Sequence, residues 1–414
     1  MPRGWRANRV DVTSADFKAD PFPVLARLRD AGPVARVGIG GRRTAVTVTR
    51  FDECQHLLLD ERLVKDRSQI MGKRRDAGPW VPKPLRPLTR NMLDLDGPDH
   101  RRLRGLVQRA FTPNRIRELE PAIETLAEEL LQRAIPHGGG PGTMDLIEDY
   151  AAPIPSTIIA GLLGVPSGDW PRFRNWSDRI VAADGSPSSM LRALPSGLAF
   201  LRYIRRLVAT RRAAPREDLV SALMSAESDG DRLDEDELVA MIFLLLVAGH
   251  ETTIHLIGNG MIALLENPEQ LRRLRAEPDL MESAVEELLR YAGPLLFATE
   301  RYASRAMAIA GVAIERGELV LIALASANRD EAQFPHADEL ILDRDPNRHL
   351  AFGHGVHFCL GAALARLEAR FAFSALLARV GDVALSVHPR SLRWRPGLFI
   401  RGTRELPLRF SRVD

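Results

Sequence analysis

Lysine is almost missing from this 414-residue chain. Only Lys18, Lys65, Lys73 and Lys83 occur among 57 basic residues, and 54 acidic residues leave a formal net charge of +3. An excess this small, carried by dispersed arginines without a compact run of interleaved aromatics, gives no footprint for nucleic acid. Cysteine is scarcer still: Cys54 and Cys359 stand far apart, which excludes a disulfide framework. The opening run MPRGWRANRVDVTSADF has no apolar core segment, so neither secretion nor an N-terminal membrane anchor is expected. The longest apolar run, Val239 to Gly249, ends at His250 and Glu251, short of the ~20 residues a bilayer span needs. These absences predict a cytoplasmic protein. No repeat of fixed period and no long linker occur either. The Gly/Pro-rich stretches at 137–142 and 185–189 are short and flanked by helical patterns, so residues 1–414 read as one large domain.

What is present is a globular composition, 45% hydrophobic and 27% charged. Pro21 and Pro23 lead a helix that runs to Gly32, and residues 34–49 alternate like a hairpin closed around Gly38, Gly40 and Gly41. Pro113 behind Thr112 opens a long amphipathic helix to about Ile135. Further helices are predicted at 153–163, 168–182, 190–213, 217–228, 234–266, 268–276, 279–291 and 362–380. Short β signals occur at 319–325 and at LFIR between Gly397 and Gly402. The class is mainly α with small β-sheets.

Four constellations carry chemistry. Cys359 lies in FGHGVHFCLG (352–361), just before an apolar helical stretch. A helix start stabilises a thiolate, and Gly353, Gly355 and Gly361 remove the side chains that would keep backbone from a flat ligand. A plain reduced thiol in a loop-to-helix turn is the alternative. AGHETT (248–253) places Glu251, Thr252 and Thr253 inside an apolar helix, where burying such groups costs several kcal/mol unless they are satisfied or used. A salt bridge from Glu251 to a neighbouring helix is the plainer reading. EELLR (286–290) sets Glu287 and Arg290 three residues apart on one helical face, a pair that any amphipathic helix offers. LDLDGPDHRRLR (93–104) carries His100 and Arg104 at i and i+4, either a solvated basic face or a clamp for paired carboxylates. A zinc module of His349, His354, His357 and Cys359 is the competing metal reading. Its spacing suits a tetrahedral site poorly, because His357 and Cys359 flank a single residue.

In this order and at these separations, with AFTP (110–113), ANRD (327–330) and ALARLE (363–368), the motifs resemble the haem-thiolate monooxygenases, the cytochrome P-450 family, in its soluble bacterial form. The resemblance covers nearly the whole chain. It implies a single-domain P-450 fold with haem b held between the long central helix and the cysteine-loop helix. Cys359 becomes the iron ligand, with Phe352 beside the sulfur, Gly353, Gly355 and Gly361 shaping its loop, and Ala248 near the cofactor. His100, Arg104, Arg301 and His357 match the positions that bind haem propionates. Glu251 and Thr252 match an acid–alcohol pair relaying protons to dioxygen, and Glu287 with Arg290 matches a structural pair behind the haem. The pair's usual third member is replaced by Glu339, so His336, Arg344 or Arg348 must substitute. His255 stands where relatives often carry asparagine, to extend the proton path or to pack.

The family's pocket positions fall on Leu244, Val247 and Ala248, on Leu295, Leu296 and Phe297, and on Leu398 and Phe399, all apolar. A hydrophobic substrate is therefore expected, oxidised with O2, with Arg67, Arg74 or Arg75 of the 65–92 segment as candidates for meeting a substrate carboxylate. The implied reaction is insertion of one oxygen atom, with peroxide-driven chemistry as the alternative. No fused reductase is expected. Electrons would come from a separate ferredoxin and its reductase, steered by Arg101, Arg102, Arg109, Arg366 and Arg370.

Overall fold

The computed structural model describes residues 10–41, 43–71, 85, 91–135, 142–181, 187–226 and 231–412 and is mainly helical, with three small sheets among them. The chain divides into two compact units, each assembled from separated segments. One takes Met1–Val64, Ile123–Ile154 and Thr252–Asp414; the other takes Lys65–Ala122 and Pro155–Glu251. The long helix Glu235–Glu266 passes from the second into the first between Glu251 and Thr252. It runs unbroken through AGHETT. By length and composition it is the one described helix able to cross a bilayer, yet 72% of its most apolar window is buried inside the protein.

The first unit holds a five-stranded sheet in the order Val34–Gly38, Thr44–Val48, Leu319–Ile322, Arg301–Ala303, Leu63–Val64. The expected hairpin is there, with Val34 opposite Val48 and Gly38 opposite Thr44. Val46, Val48, Val320 and Ile322 pack against Phe51, Cys54, Leu57 and Leu58 of the helix Phe51–Leu59, and each such burial contributes about 1.5–3 kcal/mol. That helix starts on the ANRD motif: Asp330 accepts the Phe51 N–H (2.9 Å) and the Arg50 guanidinium (3.0 Å). A carboxylate there suits both the unbonded donors and the helix dipole. A second sheet pairs Pro407–Arg412 with Gly142–Asp145 and Val380–Leu385.

Three elements depart in kind from the sequence reading. The helix expected over 113–135 is two, Pro113–Arg117 and Glu120–Ala134, because Pro121 has no N–H to carry the ladder on. The β signal at 319–325 ends at Ile322, and Leu324–Ala327 is a short helix. LFIR forms no ladder, only the isolated bridge Leu295–Ile400, since Pro396 and Gly397 (φ +128°) precede it.

The second unit is helical: Gly97–Ala110, Trp170–Val181, Pro187–Ala213 and Leu219–Ser225 accompany the first part of the long helix. Phe200 stacks on Phe173 (5.2 Å between centroids) and meets Phe243 edge-on (5.5 Å). A buried Arg211–Asp218 ion pair ties two helices, with Arg211 also donating to the Gly164 carbonyl at 2.6 Å.

Candidate active site

The cysteine loop is held by backbone bonds. Cys359 N–H donates to the Phe352 carbonyl (2.9 Å) and Gly353 N–H to Leu350 (2.8 Å), while Leu350 N–H reaches the Asn328 side chain (2.7 Å). Gly353 and Gly355 have φ of +72° and +74°, the left-handed region that favours glycine. Gly361 is ordinary (φ −84°), but the space where its side chain would stand is open. The helix Ala362–Arg379 that follows has no side-chain N-cap, and the Cys359 thiol just before it is exposed. A helix start beside an accessible sulfur favours a thiolate. The loop therefore fits a soft metal centre within a flat ligand. Cys54 is the opposite case: wholly buried, donating to the Val48 carbonyl, its thiol pushed far up by desolvation.

Behind the loop, Glu287 and Arg290 are completely enclosed and doubly bonded, both contacts at 2.7 Å. Arg290 also donates to the carbonyls of Asn328, Ala337 and Glu339. The third member is Arg344, whose Nε lies 3.2 Å from both Glu287 oxygens; Ile341 N–H and Asn347 complete the shell. Arg344 is thus the one of the three candidates that substitutes, while His336 pairs with Glu339 at the surface.

On the long helix, Glu251 is buried and Thr252 half-buried. In the second unit's part of that helix, Leu244, Val247 and Ala248 keep accessible surface among buried neighbours, an apolar strip that suits a flat or oily ligand. In the first unit, the His255 ring sits where any side chain at Gly402 would collide with it, and Arg395 Nη1 approaches its Nε2 at 3.2 Å. The motif reading assigned no role to Glu368, which closes ALARLE. It is wholly buried, with the Thr253 hydroxyl as its hydrogen-bonding neighbour. Burial, only partly opposed by Thr253, pushes its carboxyl up to about 8.

In the second unit, His100 is buried one turn before Arg104. Desolvation, then the charges of Arg104 and Lys65, hold its imidazole down at about 4 despite Asp96. Asp96 spends one oxygen on the N–H groups of Lys65 (2.7 Å) and Asp66 (2.8 Å). Positive charge around a neutral imidazole suits an incoming carboxylate. In the first unit, Arg301 is buried in its strand and His357 is half-buried.

The pocket candidates are partly brought together. Leu296 N–H donates to the Phe399 carbonyl (2.9 Å) and Arg401 N–H to Pro294 (2.7 Å), so 294–297 and 398–401 lie side by side. Leu295, Leu398 and Phe399 keep accessible surface. Leu296 and Phe297 are fully buried, and Phe297 stacks on Phe17 at 6.5 Å. Arg67 is half-buried, while Arg74 and Arg75 lie outside the described residues.

Two expectations change. Arg366, read as a docking cation, instead binds Glu286 (2.5 and 2.8 Å) and covers Phe352, its guanidinium 4.5 Å from the ring. Burial raises the Glu286 carboxyl, but Arg366 and His349 outweigh it and hold it at about 2. Arg102 and Arg370 are likewise paired, with Glu237 and Glu282. The zinc module does not assemble: His349 faces Glu286, and no group of three or more metal-capable residues stands together among the described residues.

Comparisons agree with the motif pattern. Residues 199–380 match a family model described as Cytochrome P450. The chain is 43% identical over 397 residues to Cytochrome P450 107B1 of Saccharopolyspora erythraea, covering 95% of this chain and 96% of that one. It is 42% identical over 398 residues to the cytochrome P450 monooxygenase PikC of Streptomyces venezuelae, covering 96% and 92%. The solved structure of the Bacillus subtilis bacillaene polyketide synthase cytochrome P450 PksS superposes with a TM-score of 0.89 at 38% identity, covering 97% of this chain and 99% of that one.

Proposed function

The chain belongs to the cytochrome P450 family, and from that premise we propose a role for each candidate residue in a monooxygenase acting on an apolar natural product. It is a haem b enzyme that uses O2 to insert one oxygen atom into a hydrophobic substrate. The proposal treats residues 1–414 as one catalytic domain, a reading supported by the share of each relative that the chain covers.

Bound through a cysteine thiolate, haem supplies dioxygen activation, with the sulfur's electron density favouring O–O cleavage. Cys359 is the thiolate, on the strength of its exposure in a glycine-shaped loop before an uncapped helix. Arg366 and His349 clamp Glu286 beside that loop, and Arg366 shields Phe352, so the sulfur is held among fixed neighbours. His100 and Arg104, with Arg301 and His357, bind the propionates; the neutral His100 donates a hydrogen bond without adding charge. Glu251 would carry a proton inward on its carboxylate, and Thr252 would relay it through its hydroxyl toward the side of the helix where haem would be held. Leu244, Val247, Ala248, Leu295, Leu398 and Phe399 orient the substrate by apolar burial at ~25 cal/mol per Å².

The observation that carries this reading is the exposed Cys359 thiol in its left-handed glycine loop. Replacing the sulfur by oxygen tests it. The reduced, carbon monoxide-treated wild type should show the red-shifted Soret band of thiolate ligation, and Cys359→Ser should lose it; a band that survives sinks the assignment. Thr252→Ala should keep that band and substrate binding but divert electrons from product by about tenfold or more, within the usual range for positioned proton transfer. Unchanged coupling would remove Thr252 from the relay.

Separate donor proteins, a ferredoxin and its reductase, and a cytoplasmic location belong to the same proposal. Arg101 and Arg109 are exposed cations of the expected docking face. Donor reduction should therefore slow with rising salt and slow further in the Arg101→Glu/Arg109→Glu protein.

A further inference from the structure

We propose that Lys18 is a positioning residue for the substrate: its buried ammonium fixes the backbone at Leu398 and Ile400 and so sets where Leu398 and Phe399 stand. The proposal rests on the assignment of those two side chains to the pocket.

Lys18 is one of four lysines in a chain that otherwise uses arginine, and it is completely buried. A compact ammonium with three donors can sit between two carbonyls where a planar guanidinium fits poorly. Its Nζ donates to the carbonyls of Leu398 (3.1 Å) and Ile400 (2.9 Å). The C-terminal segment reciprocates, Arg401 donating to the carbonyls of Lys18 (2.9 Å) and Ala19 (3.1 Å). Between those anchors, the Phe399 carbonyl takes the Leu296 N–H at 2.9 Å. Backbone from 398 to 401 is thus tied on both sides, while the Leu398 and Phe399 side chains keep accessible surface.

Burying an ammonium without a carboxylate partner is costly, and such a cost is tolerated where the group is used. Desolvation first, then the charge of Arg401 across from it, lower the Lys18 ammonium to about 7. Arg401 itself faces Glu266 and Asp20 as counter-charges and Arg329 as a like charge. Below neutrality Lys18 holds both carbonyls with charge-assisted bonds. Above neutrality the amine donates weaker ones.

The test uses haem-loaded protein and 4-phenylimidazole, an azole whose phenyl group occupies the substrate side, with the Soret shift reporting binding. Lys18→Met, which keeps the apolar stem, should bind this probe about fivefold more weakly than wild type near pH 6, and the gap should narrow near pH 8.5, where the wild-type amine donates only weaker, uncharged bonds. Phe399→Ala serves as the reference. If Phe399→Ala alters binding and Lys18→Met matches wild type at both pH values, the proposal is overturned. A loss in Lys18→Met that is equal at both pH values overturns it too, because it marks a general packing defect. An unaltered Phe399→Ala overturns the pocket assignment itself. If Lys18→Met does not load haem, hydrogen exchange on wild type decides: the Leu296 and Arg401 amides should exchange faster above pH 7 after correction for intrinsic rates, and equal protection at both pH values overturns the proposal.

Discussion

Glu287 and Glu368 are both wholly enclosed carboxylates of the first unit, and the fold treats them in opposite ways. Glu287 receives Arg290 twice, Arg344, Asn347 and the Ile341 N–H. Glu368 has the Thr253 hydroxyl beside it and no charged donor among the described residues, and it is driven toward its neutral form. Burial alone thus does not tell what a carboxylate is for. A full ring of donors makes it a fixed anion that joins chain segments; a single hydroxyl leaves an acid that holds its proton at neutral pH.

The largest expected effect breaks the first half of that contrast. Glu287→Ala strands Arg290 as a buried cation and should cost about 3–5 kcal/mol in denaturant unfolding, whereas Arg344→Ala removes an outer donor and should cost about 1–3 kcal/mol. Equal losses would show that Glu287 is not the hub. A smaller effect sharpens the second half. With its folded value at about 8 against 4.5 for an ordinary carboxyl, Glu368 keeps a proton that the unfolded chain gives up. Its contribution is therefore complete below about pH 4.5 and is lost as pH rises through 8. Glu368→Gln should flatten that decline, by up to about 1.4 kcal/mol for each unit of pH between the two values. Identical pH slopes for the two proteins would return Glu368 to the ordinary carboxylates.

Much of the candidate site's geometry was legible because it is local in sequence. The glycines of the cysteine loop, Cys359, and the His100–Arg104 spacing are short patterns whose geometry follows from one turn or one helix face. Arg344 was narrowed to three candidates and no further, since its approach to Glu287 depends on how 336–347 folds back over a distant helix. Arg366 was misread for a similar reason. On a helix it looks like a surface cation, and only the position of Glu286, next to Glu287 in EELLR, turns it back onto Phe352. Glu368 and Lys18 carried weak signals, a charge closing an apolar helical motif and a rare residue type, which reveal nothing until burial is known. Pro121 was a legible helix break that amphipathic periodicity concealed.

Gly355 ties the two cysteines of the chain together mechanically. Its left-handed turn rests on the end of the helix Phe51–Leu59, so closely that a methyl group there would stand 2.5 Å from a Leu59 carbon. That same helix carries Cys54 into the sheet core. A substitution deep among the strands thus has a short lever arm to the Cys359 loop, and directed evolution of the core should be expected to retune how that loop is held.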